Sequence, residues 1–459
     1  MDRTLIISGG DIVTMNPERE VLRGGAVAVQ RSVIAAVGSD SAVRARFPDA
    51  DVLDARRCVV TPGFINAHQH ATGDPLVRSG IPDRITADEA IFGWAVPLHN
   101  AHTADDNGFS ALLCAIESVL TGTTTMIEAG TVAHPERVGA SMQQVGLRGS
   151  VGTWGWDAEG VPFGGTVPEL IDRQQSVLER FPGGGLVEGW VTLAGHDLVS
   201  DELFVAGSEL ALAAGTRLTF HMSPSARDAE RYLERTGRRP LLHLQQLGVL
   251  GRHCVVAHGV WLDDAEVQAV LDSGTALAYC PWAYLRLGQG VTRVGRHAEI
   301  RARGGRVALG CDSANAGDVV DMLHVAAIAA GLARDMHVDP LTFGAHEALE
   351  LATIAGAEAI GMADRIGSIE VGKQADLVVH RADGAAWSPR GDVALHLVWG
   401  GGARSVRDVF IAGQHVVSDG RCITVDTDAA WAEAQDRQAS LLRQAGLSIP
   451  HRWPETDAS

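Results

Sequence analysis

Two histidines one residue apart, His68 and His70, close the apolar run Val59-Val60-Thr61-Pro62-Gly63-Phe64-Ile65-Asn66-Ala67. In an extended chain residues i and i+2 project from one face, so both imidazoles can reach a single point, as a bound cation requires. Three more polar residues end short apolar runs in the same way. His221 follows Arg217-Leu218-Thr219-Phe220, His258 follows Cys254-Val255-Val256-Ala257, and Asp312 follows Ala308-Leu309-Gly310-Cys311. Imidazole nitrogens with a carboxylate make a borderline-hard donor set, suited to one divalent ion such as Zn2+ or Fe2+. A cation held this way lowers the pKa of a bound water toward neutrality and supplies hydroxide for hydrolysis.

Residues of this kind need a scaffold that brings distant run ends together. Eight short apolar runs, at 60–66, 124–128, 149–153, 187–193, 217–221, 254–258, 275–279 and 306–310, alternate with helical stretches such as 105–120, 202–214 and 263–272. Eight β-α units predict an α/β fold of the (β/α)8, TIM-type class, whose chemistry sits at the C-terminal ends of the strands. Those ends carry His68, His70, His221, His258 and Asp312. The flanks differ. Strand-like runs punctuated by glycine occur at 5–15, 26–37 and 52–60, and again at 376–380, 396–399 and 406–417. The expected organisation is a small composite β-sandwich domain from residues 1–60 and 364–428, a barrel over 61–363, and a C-terminal helix and tail over 429–459, with the helix at 429–445.

Composition narrows the partners. The net charge of −18 repels phosphate backbones and argues against nucleic acid. No apolar run reaches membrane-spanning length, so no membrane partner is expected. The six cysteines form no Cys-x-x-Cys pair, and the first residues carry no charged-then-apolar leader, so a reducing cytoplasm is the expected location. Two look-alike motifs fail. His297-Ala298-Glu299 lacks a following Pro-Cys-x-x-Cys, and His346-Glu347 has Glu350 where a zincin helix needs its second histidine.

The ordered set of segments resembles the amidohydrolase superfamily, in its cytosine-deaminase and chlorohydrolase-like branch. The segments are 62–70, Gly122-Thr123-Thr124-Thr125, Ala257-His258-Gly259-Val260, Cys280-Pro281, Leu309-Gly310-Cys311-Asp312-Ser313-Ala314-Asn315, 352–357, Ile366-Gly367-Ser368 and Gly372-Lys373-Gln374-Ala375-Asp376-Leu377. The resemblance implies that His68, His70, His221 and Asp312 bind the metal, and that His258 joins Asp312 as a catalytic group beside the water or substrate. Some relatives bridge two metals with a carboxylated lysine on a mid-barrel strand. The sole lysine here is Lys373, in the flanking β segment, so one ion per chain is expected.

The implied reaction is metal-dependent hydrolysis of a small nitrogen heterocycle, with release of an amino or similar group. His196, after the fourth strand, is a candidate substrate contact. Trp282 and Tyr284 could stack on a flat ring, Arg286 could bind a carboxylate or ring oxygen, and Asn315 is a further candidate substrate contact. A homodimer or higher homo-oligomer is expected. One departure matters. Deaminases of the branch usually carry a glutamate three residues after the fifth-strand histidine, where it moves a proton to the ring nitrogen. Here that position is Pro224, which transfers no proton. His196, Asp228, Glu230, Ser223 and Ser225 are the nearby polar groups. Two other readings stay open: a hydrolase of cyclic amides, amidines or C–halogen bonds, and a catalytically silent binding protein.

Overall fold

The computed structural model describes residues 3–86, 88–317 and 319–453. Its first strands are β1 (Leu5–Val13), β2 (Val21–Gln30), β3 (Val33–Ser39), β4 (Asp51–Asp54) and β5 (Cys58–Pro62). The central strands are β6 (Phe64–Gln69), β7 (Thr123–Glu128), β8 (Arg148–Val151), β9 (Val187–Gly189), β10 (Val191–Gly195), β11 (Leu218–Met222), β12 (Cys254–His258), β13 (Ala276–Tyr279) and β14 (Arg306–Leu309). The last are β15 (Leu377–Arg381), β16 (Val406–Ile411), β17 (Gln414–Ser418) and β18 (Arg421–Cys422).

The central strands are all parallel and run in sequence order, β6-β7-β8-β9 in one sheet and β10-β11-β12-β13-β14 in the next. Trp190 alone separates β9 from β10, and Gln69 on β6 bridges to Asp312 just past β14. The protein is thus an α/β fold with helices between parallel strands. The helices expected at 105–120, 202–214, 263–272 and 429–445 are Ala104–Leu120, Asp201–Ala213, Asp264–Ser273 and Thr427–Ala445. Their starts are set by Thr103, Ser200, Asp263 and Asp426, whose side chains accept backbone N–H groups of the first turn.

A third sheet joins the two chain ends, in the order β18-β17-β16-β15-β5-β1-β2-β3, with β4 beside β1. Alternate residues feed opposite faces. Ile7, Val27 and Val29 pack with Leu377, Val379 and Phe410, whereas Ile6, Ala26 and Ala28 pack with Val43 of the helix Asp40–Arg46.

Several sequence expectations shift. The strand expected at 60–66 is two strands. Up to Pro62 the chain pairs antiparallel with β15, and from Phe64 it pairs parallel with β7. Gly63 makes the switch, because a Cβ there would lie 2.0 Å from Thr124 Oγ1 and 2.6 Å from Thr124 Cβ. The runs at 26–37 and 406–417 are hairpins. The second turns at Ala412-Gly413, both with positive φ (47° and 73°), the twist-matched two-residue turn. The run at 396–399 is helical. Asp392 caps a turn at Val393–Leu395 that continues through His396–Gly401, burying Leu397 and Val398.

Candidate active site

The ends of β6, β11, β12 and β14 bring His68, His70, His221, His258 and Asp312 together. Ligand-type atoms of His68, His70 and His221 lie within 4.8 Å of one another, and so do those of His68, His258 and Asp312. His70 Nε2 is 3.2 Å from His221 Nε2 and 3.4 Å from Asp312 Oδ1, and His68 Nε2 is 3.8 Å from the same oxygen. The carbonyl of Ala194 accepts the Nδ1–H of His221 at 2.8 Å, which leaves Nε2 as a bare lone pair facing His70. Thr131 Oγ1 holds His70 Nδ1 at 2.9 Å. His68 is 1% exposed, yet among the described residues neither ring nitrogen has a hydrogen-bond partner. Buried polar atoms are normally satisfied. Lone pairs converging without partners fit a cation at their centre.

The protonation states agree with that fit. Burial, reinforced by neighbouring imidazoles, holds His68 and His221 well below the ordinary histidine range. Burial pushes His258 down to about 4. Burial alone would raise Asp312, but the hydrogen bond to His70 and the nearby imidazoles bring it down to about 2. Neutral imidazoles and an ionised carboxylate are the forms that bind a metal. His70 is the exception. Burial lowers it, and the bond to Asp312 outweighs that.

Backbone shape helps to aim these groups. His196, Ser223, His258 and Asp312 all adopt positive φ, at 55°, 54°, 78° and 71°. For residues other than glycine such conformations cost of order 1–3 kcal/mol each and gather at functional sites. Asn66 ties the first strand to the last: its Oδ1 accepts the Cys311 N–H at 3.0 Å.

The remaining sequence candidates are spread more widely. His196 reaches the site, its ring stacked 5.7 Å from that of His221. Asn315 is buried in the short helix Ala314–Gly317, directly after Asp312. Trp282 is half-buried, with its ring edge against His324 at 4.2 Å. Tyr284 is fully buried behind His258, and its hydroxyl is engaged with the backbone of Cys280 and Ala278, so it supports His258 and offers no face for stacking. Arg286 lies 3.6 Å from Asp83. Sequence reasoning missed the groups that orient the histidines, Thr131, the Ala194 carbonyl and Asn66. It also missed a stack of Trp154 with Trp156 and Phe163, in which Trp154 meets His99 edge-on at 5.2 Å. A carbonyl or a lone threonine carries no spacing signal.

Imidazoles and a carboxylate at the ends of parallel strands define a metal-assisted hydrolase. The amidohydrolase family model matches residues 59–416, and the chain belongs to that family, hydrolases of C–N bonds other than peptide bonds. A short match to the imidazolonepropionase-like composite domain of bacteria covers residues 25–50. The chain is 30% identical to a 5-methylthioadenosine/S-adenosylhomocysteine deaminase of Syntrophobacter fumaroxidans, over 92% of this chain and 95% of that one. It resembles the structure of an adenosine deaminase from Xanthomonas campestris with bound zinc, at a TM-score of 0.91 and 27% identity, covering 96% of this chain and 98% of that one. An atrazine chlorohydrolase from Arthrobacter aurescens, complexed with zinc and atraton, shares the fold at a TM-score of 0.87 and 23% identity, covering 95% and 100% of the two chains.

Proposed function

We propose that this protein hydrolyses a small nitrogen heterocycle, releasing an amino or similar group, with one divalent ion, zinc first, held by His68, His70, His221 and Asp312. The observation that carries the reading is the buried, unpartnered pair of ring nitrogens on His68 beside converging lone pairs from His70 and His221. When bound, a divalent cation supplies Lewis acidity and makes water acidic enough to act as a nucleophile near neutral pH. Asp312, ionised and at the centre of the cluster, takes the proton of the attacking water and passes it on to the leaving group. His258, neutral, orients the attacking oxygen and steadies the charge that develops on the attacked centre. His196, Trp282 and Asn315 contact the ring. Tyr284 backs His258, and Arg286 guards the rim.

The scaffold reading goes with it. The two parallel sheets form one closed eight-stranded barrel over 61–363, supported by the Gln69–Asp312 bridge and the single-residue break at Trp190. The sheet of both chain ends folds over its shared cluster as a small β-sandwich of 1–60 and 364–428, which the match at 25–50 supports. Residues 429–459 form the terminal helix and tail. Six buried, unpaired cysteines suit a reducing cytoplasm. Among the described residues no helix is long and apolar enough to cross a membrane. Val338 and Leu341, 90% and 91% exposed, favour a homo-oligomer of two or more copies.

The relatives named as deaminases favour amine release, and the chlorohydrolase keeps a C–halogen substrate as the second reading. Ammonia and halide release across a panel of adenosine-type nucleosides, purine and pyrimidine bases and chlorotriazines, with mass spectrometry of products, tests both. Release of neither from zinc-loaded protein would overturn them and leave the binding-protein reading.

A further inference from the structure

The helix Ala226–Thr236 turns Asp228 and Tyr232 inward, one turn apart, and both take hold of His196. Asp228 Oδ2 accepts from His196 Nδ1 at 2.8 Å, and the Tyr232 hydroxyl donates to the His196 carbonyl at 2.9 Å. The same Oδ2 accepts the backbone N–H of Ser223 at 2.7 Å. One carboxylate oxygen therefore joins the turn after β10 to the turn after β11, at two residues with left-handed backbone. Glu230, on the same helix, is exposed and takes no part.

Asp228 is 5% exposed, and a buried charge is a costly loop staple. An uncharged amide could accept the Ser223 N–H as well. What a carboxylate adds is a partner that only accepts. Opposite an imidazole it admits only the form with a proton on Nδ1. Nε2 is then the one nitrogen left for a ligand, and among the described residues it has no hydrogen-bond partner. The His196 side chain is 22% exposed while Asp228 is sealed behind it, so the free nitrogen belongs to the open side, beside the ring of His221.

We propose that Asp228 is a positioning residue of the reaction: it fixes His196 with its proton on Nδ1 and holds the ring so that Nε2 meets the substrate. This rests on the reading that His196 contacts substrate. The test uses full-length, zinc-loaded protein labelled with 15N-histidine, observed by long-range proton–nitrogen NMR without ligand, with His196→Gln assigning the signal. The wild-type protein is expected to show a protonated Nδ1 on His196. Asp228→Ala should lose that signature at unchanged zinc content, Asp228→Glu should restore part of it, and Tyr232→Phe should keep it. If the alanine protein does not fold, Asp228→Asn, which can also present an N–H, should give mixed tautomers. With the panel compound turned over fastest, Asp228→Ala should lower kcat about 10–100-fold, as loss of a histidine's outer partner does, and change KM far less. A signature that persists in Asp228→Ala, or in Asp228→Asn, overturns the proposal, and so does an unchanged kcat. If no compound is turned over, the proposed function fails, and the spectra alone decide the role of Asp228.

Discussion

The backbone N–H of Asp312 donates to the carbonyl of His68 at 2.9 Å. The residue that ends the last parallel strand and the first histidine of the proposed ligand pair are thereby held by main chain, independently of any side-chain choice. Asn66, two residues before His68, adds a second tie through the Cys311 N–H. Deleting either side chain should therefore empty the site without dissolving the scaffold around it.

The first expected outcome follows. Elemental analysis of wild-type protein should find about one zinc or iron per chain, and His68→Ala and Asp312→Ala should lose most of it while keeping the far-UV circular dichroism of the parent. Two ions per chain, or a full complement in both variants, would contradict the ligand set.

The cluster of His68, His70, His221, His258 and Asp312 was legible because strand periodicity and chain order expose it. A histidine or aspartate at the end of an apolar run is visible in one dimension, and five of them converge once the runs are parallel neighbours. The junction at Gly63 was less visible. Val60 and Phe64 read as one apolar run, and only the approach of Thr124 shows that the chain changes sheets between them. The run at 396–399 was misjudged because a short apolar segment fits a strand or a buried helical turn equally well, and the Asp392 cap decides it. Asp228 was visible as a residue but not as an orientation. The helix Ala226–Thr236 could have turned it outward, and its burial depends on the distant His196.

His258 should separate turnover from metal content. It meets Asp312 and His68 in the cluster, but burial keeps it neutral and the proposed ligands do not include it. His258→Ala should keep most of its zinc and lose turnover by ~10²-fold or more, the usual weight of an acid–base or charge-stabilising group. Metal analysis beside steady-state kinetics on the same preparation checks this. Parallel loss of both would make His258 a ligand.

Arg148 and Asp376 join the parallel strand β8 to the sheet of the chain ends. They are bonded twice, at 2.7 and 3.1 Å, and their side chains are 6% and 2% exposed. Asp376 also accepts the Ala412 N–H at 2.7 Å. Removing one partner of a buried pair leaves a charge uncompensated, so Asp376→Ala should destabilise by about 3–5 kcal/mol. The double variant Arg148→Met with Asp376→Ala should recover part of that loss. Urea unfolding of the three proteins measures both steps. An Asp376→Ala protein as stable as the parent would show that the pair carries no such weight.

Asp408 should leave a signature in the acid limb of stability. It lies in β16, 3% exposed, between the Arg407 guanidinium and the ring of His415 at 3.0 Å. Burial works to raise its pKa, but the hydrogen bonds from His415 and Arg407 outweigh that and hold it below the usual carboxylate value of 3.8. A carboxylate whose folded pKa is depressed contributes stability that is fully present above its unfolded value and lost as pH falls through the folded one. Wild-type protein should therefore lose more stability than Asp408→Asn between pH ~6 and pH ~3, a window that spans the ordinary carboxylate range of about 4. The variant, less stable at neutral pH, should close the gap as acid is added. Urea midpoints at matched ionic strength across that range read the difference. Parallel curves for the two proteins would mean that Asp408 is protonated in step with the unfolded chain, and that its contacts with His415 and Arg407 do not favour the ionised form.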